Sequence, residues 1–343
     1  MKKIWSFLKP YLRWVILGGT LFFLAKALKD NWREVAAIRM TDAGWTNLAI
    51  AFLITLLAHT WSGFVWSWIL QSFRQPVQPR WALQVYLKTN LAKYLPGNVW
   101  HYYGRIVAVT SHGGSFGAAT LSVLLEPLLM AAAALLVALA GSQLGWAGVP
   151  QNTQTRTLQI LGLGVVLLSV HPRILNPLMK LASKLKGKKA RGAGIQGHRD
   201  TGTQAGGGEE NANFSASASQ PPTEATEASF RLERYPLFPL LGEIGFLLLR
   251  GAGFLFAMLA LTPVNPNQIP MLLSGFSFAW LLGLIVPGAP GGIGVFETTA
   301  IALFDQHFSA AILLSVVALF RLVSILAEAA AAGLATLSEL KDK

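Results

Sequence analysis

Six ionisable side chains stand inside runs that are otherwise apolar, and any chemistry begins with them. Glu126 sits in "SVLLEPLLM", Glu243 and Arg250 in "LLGEIGFLLLRG", Glu297 at the end of "PGGIGVFE", and Arg321 and Glu328 in "LFRLVSILAEA". A charge within a membrane helix is costly and needs a partner or a water-filled cavity. Glu243 and Arg250 are seven residues apart, as are Arg321 and Glu328. That is two helical turns, so each pair shares one face. Ser324 extends the polar stripe of the last helix. Arginines of this kind suit an anionic group such as phosphate, and carboxylates can carry a proton. In an ion-coupled transporter, Glu297 or Glu126 could serve as the proton carrier.

The same residues have plainer uses. Glu297 could cap its helix and pair with Arg321 or Arg250. Glu126 could answer the backbone freed by Pro127, or pair with Arg105. His59, in "LLAHTWSGFVWSW", could be a hydrogen-bonded interior histidine or part of a proton relay. The tryptophans at 61, 66 and 68 read as an interfacial belt.

Two Pro-Gly breaks must position these groups. The first is "TNLAKYLPGNVWHYYGR", Thr89 to Arg105, with Pro96 and Gly97 at its centre and His101 and Tyr102 beside it. The second is "VPGAPGGIGVFE", which includes Pro290, Gly291, Gly292 and Gly294. Proline removes a backbone donor and glycine permits unusual dihedrals, so together they unwind a helix. Freed N–H and C=O groups cannot face lipid, so each break must lie in protein or line a wet cavity. A helix restarting near Gly291–Gly294 would offer its N-terminus to an anion. Glu126 lies 30 residues after Pro96 and Arg321 lies 31 after Pro290, which hints at two related halves.

The elements carrying the breaks are membrane helices. Of 343 residues, 53% are hydrophobic and 13% charged, whereas soluble domains carry about a quarter charged residues. Apolar runs cover about Tyr11–Leu28, Trp45–Leu70, Gly117–Gly141, Pro236–Leu261, Ile269–Val286 and Ser309–Leu337, with a shorter one at Thr157–Val170. A bilayer crossing needs roughly 20 such residues. The expected fold is all-α and polytopic, with seven to eight membrane elements including two broken or re-entrant helices. Residues 187–229 are rich in Gly, Ser, Ala, Thr and Pro and read as a disordered linker. They separate an N-terminal membrane half, 1–186, from a C-terminal half, 230–343.

The net charge of +12 does not imply nucleic acid, because the basic residues fall in loops between spans. Lys2, Lys3, Lys9 and Arg13, then Arg74, Arg80, Lys88 and Lys93, then the run from Arg173 to Arg199 mark cytoplasmic segments. The expected location is a bacterial inner or other plasma-type cell membrane, with the N-terminus and long loop cytoplasmic. "AKA" at Ala25–Ala27 has cleavage-site spacing, and the alternative is a retained first helix. With no cysteine, disulfides and thiolate sites are excluded.

Enzyme signatures are missing. No GxxxxGK[ST] loop, HExxH pattern or paired metal-ligand spacing occurs. "GGSFG" does not match the nucleophile elbow. The expectation is no cofactor, no metal and no catalytic residue.

At "KYLPGNVWHYYGR", "PGGIGVFE" and "LFRLVSIL" the chain resembles the transmembrane region of lysylphosphatidylglycerol synthases, a flippase-like family that includes the membrane part of the multiple peptide resistance factors. The Pro-Gly-Gly-aliphatic-Gly-x-x-Glu pattern falls on Pro290, Gly291, Gly292, Ile293, Gly294 and Glu297, and the family's arginines on Arg105 and Arg321. Where the family often has Glu-Arg, this chain has Glu126-Pro127. The resemblance implies lipid headgroup translocation with re-entrant segments meeting near the midplane. Without the soluble aminoacyl-transferase domain, the chain should not make aminoacylated lipid. The expected partners are membrane lipids, and beyond them a second copy or a lipid-synthesis enzyme. Two alternatives use the same residues or surface: a transporter of a small soluble anion, and an accessory subunit of a lipid-modifying enzyme.

Overall fold

The computed structural model describes residues 26, 29–30, 32–94, 99–143, 153–174, 176–177, 232–286, 292 and 294–341. The expected first span, Tyr11–Leu28, falls almost wholly outside them. So do the linker at 187–229 and Pro96, Gly97, Pro290 and Gly291.

Numbered over the described residues, the α-helices are α1 (Trp32–Ala37), α2 (Asp42–Ser72), α3 (Pro79–Asn90), α4 (Trp100–Ser111), α5 (Phe116–Gln143), α6 (Thr153–Ser169), α7 (Leu237–Leu259), α8 (Ile269–Ile285), α9 (Val295–Phe304) and α10 (Ala310–Lys341). Short 3-10 turns lie at Leu91–Tyr94 and Pro266–Gln268. No strand occurs among the described residues. Among the described residues, five helical segments are long and apolar enough to cross a bilayer: Asp42–Ser72, Phe116–Gly141, Leu237–Leu259, Pro266–Ile285 and Ala310–Lys341. Arg156–Ser169 and Val295–Phe304 are shorter apolar helices. The protein is an all-α, multi-pass membrane protein.

Local chemistry sets the helix ends. Thr41 accepts the Gly44 N–H at 3.1 Å and Asp42 occupies the first turn, a favourable start for α2. Pro79 opens α3, where its missing N–H costs nothing. Gly294, at φ 89°, opens α9 in a conformation that suits glycine.

Helix α7 is the axis of the bundle and packs on α2, α5, α8 and α10. Its glycines bring α2 close: a Cβ at Gly253 would fall 2.6 Å from Thr55 Oγ1, and one at Gly242 would fall 2.7 Å from Val65. Small residues at such crossings are how membrane helices gain contact where hydrophobic drive is absent. Trp61 donates its indole N–H to Gly242 O at 2.8 Å, which ties the same two helices.

A second cluster fixes the C-terminal helices. Phe254 of α7 meets Phe276 of α8, Phe296 and Phe304 of α9, and Phe320 of α10, with centroids 5.4–6.2 Å apart. Outward-facing Leu53, Leu57, Leu161, Val165, Leu322 and Leu334 leave a broad apolar exterior suited to lipid. The expected tryptophan belt is a correction. Trp66 is fully buried against Tyr86, and Trp61 and Trp68 are half-buried and packed on α7.

Candidate functional site

Between α2, α3, α4, α5, α7, α8, α9 and α10 lies a cavity of about 150 Å³. That is room for several waters or a small polar group. Lys93, Arg105, Arg250 and Arg321 line it, facing the carboxylates of Glu126 and Glu328. Glu297 lies behind Arg321.

Three ion-paired centres form the walls. In the first, Arg105 of α4 is fully buried and donates to Glu126 of α5 at 2.5 Å. Tyr86 of α3 donates its hydroxyl to the other Glu126 oxygen at 2.9 Å, and Ser62 of α2 lies 2.6 Å from that hydroxyl. The guanidinium carbon of Arg105 sits 3.8 Å from the Tyr86 ring centroid. Cation–π contact and a buried carboxylate together hold the arginine in place.

The second centre is the break itself. Arg321 of α10 donates through Nε to Glu297 at 2.8 Å, and its Nη2 also pairs with that carboxylate. The other Glu297 oxygen accepts from Gly294 N–H. Glu297, three residues into α9, thus caps the Gly294 N–H at the start of its own helix, the plainer use expected for it. The glycines have a steric reason. Gly292 has φ 73°, and a Cβ there would fall 3.2 Å from Gly283 Cα, so α8 and the segment before α9 touch backbone to backbone. Phe296 and Phe320, each beside one member of the pair, anchor both in the ring cluster.

In the third centre, Glu328 of α10 receives a hydrogen bond from Lys93 at 2.6 Å and lies 3.2 Å from His59 Nε2. Lys93 was expected to be a topogenic loop charge. It is instead part of the site, because the 3-10 turn Leu91–Tyr94 folds back against α10. Its place three residues before Pro96, inside the first break motif, was the available signal. Tyr86 and Asn90 also line the cavity and had no signal beyond their position before that break. His101 and Tyr102 reach the cavity with ring centroids 3.8 Å apart, while Tyr103 points outward.

Arg250 differs from the other cations. It is 8% exposed, and its Nη1 donates to a neutral hydroxyl, Ser324 Oγ, at 3.0 Å. Its guanidinium lies 4.7 Å from the Phe320 centroid, and its Nε has no hydrogen-bond partner among the described residues. Arg250 is not joined to Glu243, with which it shares a helix. Glu243 is fully buried outside the cavity lining, and neither of its oxygens has a hydrogen-bond partner among the described residues.

The expected sites thus divide into two groups. Arg105, Glu126, Arg250, Gly292, Arg321, Glu328, His101 and Tyr102 meet at one cavity, with Glu297 and Gly294 in its supporting wall. Glu243 stands apart. A search of curated proteins finds no match to this chain. The family model described as lysylphosphatidylglycerol synthase TM region matches residues 12–332, which include both broken-helix motifs and every charged centre described above. The chain belongs to the lysylphosphatidylglycerol synthase TM-region family.

Proposed function

We propose that the protein is a lipid translocase that moves an anionic, phosphate-bearing headgroup through the central cavity while the acyl chains remain in the bilayer. The observation carrying this reading is Arg250: a buried guanidinium, facing the cavity, bonded to a neutral hydroxyl rather than a carboxylate. A buried cation held this way gains by meeting an anion. Lys93 and Arg321 lie on the same cavity but are already paired with Glu328 and Glu297, which leaves Arg250 to meet the anion. The apolar exterior fits a substrate whose tails stay in lipid. No step here calls for an enzyme: the work is binding, release and reorientation. The basic loops support a plasma-type membrane with those loops on the cytoplasmic side.

The test uses pure protein in sealed vesicles with headgroup-labelled anionic and zwitterionic lipids. Wild type should move the anionic lipid, and Arg250→Ala should lose that movement while unfolding near the wild-type temperature in detergent. Unchanged movement by Arg250→Ala removes this residue from the mechanism. Uptake of a soluble phosphate ester without lipid movement would favour the small-anion reading.

A further inference from the structure

Three of the buried carboxylates are accounted for: Glu126 by Arg105 and Tyr86, Glu297 by Arg321 and Gly294, and Glu328 by Lys93. Glu243 is not. It is 0% exposed, and no donor reaches either oxygen among the described residues. An ionised carboxylate in that setting costs far more than a neutral one, so this arrangement is stable with Glu243 as the acid.

The ionisable groups whose charges act on Glu243 are Glu126 on α5, Arg105 on α4 and the Tyr86 hydroxyl on α3. On α2 the neighbouring turn presents Trp61, Val65 and Trp68, and the only ionisable group beyond its first turn, His59, faces Glu328 instead. Helix α8 has no ionisable side chain, and on α10 Arg321 and Glu328 are engaged elsewhere. Glu126 and Glu243 therefore share one cation, Arg105. With Glu243 protonated the trio is neutral; with Glu243 ionised it carries one negative charge. Arg105 and Glu126 line the cavity, and Phe246, one turn along α7 from Glu243, lines it too.

We propose that Glu243 is a proton-binding site that couples movement of the anionic headgroup to a proton gradient. The proposal rests on the translocase reading. Ionised Glu243 adds negative charge behind the cavity and repels an anion. Protonated Glu243 removes that charge and admits it. Binding of proton and anion is then mutually favourable, as thermodynamic linkage requires. One proton from the acidic side travels with one anionic headgroup, and the pair crosses with no net charge.

The experiment compares wild type, Glu243→Asp, Glu243→Gln and Glu243→Met in phosphatidylcholine vesicles carrying headgroup-labelled phosphatidylglycerol. Inward movement is followed with equal pH on both sides and with acid outside. Outside acid should speed wild type and Glu243→Asp at least about fivefold, the lower end of typical coupling between sites. Glu243→Gln and Glu243→Met should move lipid at one rate whatever the gradient. Methionine leaves no unpaired amide and keeps the test alive if glutamine does not fold. Wild-type movement indifferent to the gradient, or a gradient response retained by either neutral variant, overturns the coupling and leaves the translocase reading standing. No lipid movement by any form overturns the translocase reading and the coupling with it. The proton site has its own readout. An infrared band of a protonated carboxyl, present in wild type at neutral pH and lost in Glu243→Gln, supports it; no difference overturns it.

Discussion

Arg105 and Arg321 each hold a glutamate, yet their losses should differ. Arg105 and Glu126 are almost wholly buried, and removing one partner strands the other's charge. Arg105→Met should therefore lower stability by about 3–5 kcal/mol, read as thermal unfolding in detergent. Adding Glu126→Gln should recover most of that loss, because the stranded charge is then gone. The Arg321 side chain keeps 22% exposure, so Arg321→Ala should fold with a smaller penalty and lose lipid movement. Normal movement by that variant would take Arg321 out of the mechanism. These pairs were legible in the sequence because few charges interrupt the apolar runs and each needs a partner. The partners themselves were less legible. Glu297 had two candidate arginines, and Lys93 looked like a loop charge until the 3-10 turn brought it to Glu328. Sequence spacing gives faces along one helix, not which helix lies opposite.

The segment from Gly283 to Glu297 shows why one element needs its particular residues. Gly292 combines a positive φ with a backbone neighbour at Gly283. Gly292→Ala should cost more than the roughly 1 kcal/mol scale of an ordinary glycine exchange, since both the conformation and the close approach oppose it. Gly333 lies inside α10 with nothing near its missing Cβ. Gly333→Ala should instead raise stability by about 0.5–1 kcal/mol. Unfolding of the two variants side by side checks both signs. The helices themselves followed closely from hydropathy: the expected Trp45–Leu70 and Ile269–Val286 became Asp42–Ser72 and Ile269–Ile285. The tryptophans misled because an amphipathic ring reads alike at an interface and in a core. At Trp66 the Tyr86 ring and the Arg105 guanidinium make the interior the better place.

Taken together, the N- and C-terminal parts are built on one plan with the charges exchanged. A break is followed by a short helix, then a long one, and an ion pair joins the two: Arg105 on the short α4 to Glu126 on α5, and Glu297 on the short α9 to Arg321 on α10. The N-terminal part adds tyrosine and serine hydroxyls to the Tyr86 and Trp66 rings that flank its arginine. The C-terminal part holds its pair with rings. Phe254 touches four of those rings, so Phe254→Ala should cost about 3–5 kcal/mol in detergent unfolding.

Those rings also determine where the molecule can yield. Phenylalanines from three helices interlock around Phe254 of a fourth, and a close-packed set of this kind resists local deformation. Helices α7 to α10 then form one packed block. Across the cavity, Leu91–Tyr94 rests on α10 through Lys93 and the Glu328 carboxylate. An anion entering the cavity would compete with Glu328 for Lys93 and so loosen that contact.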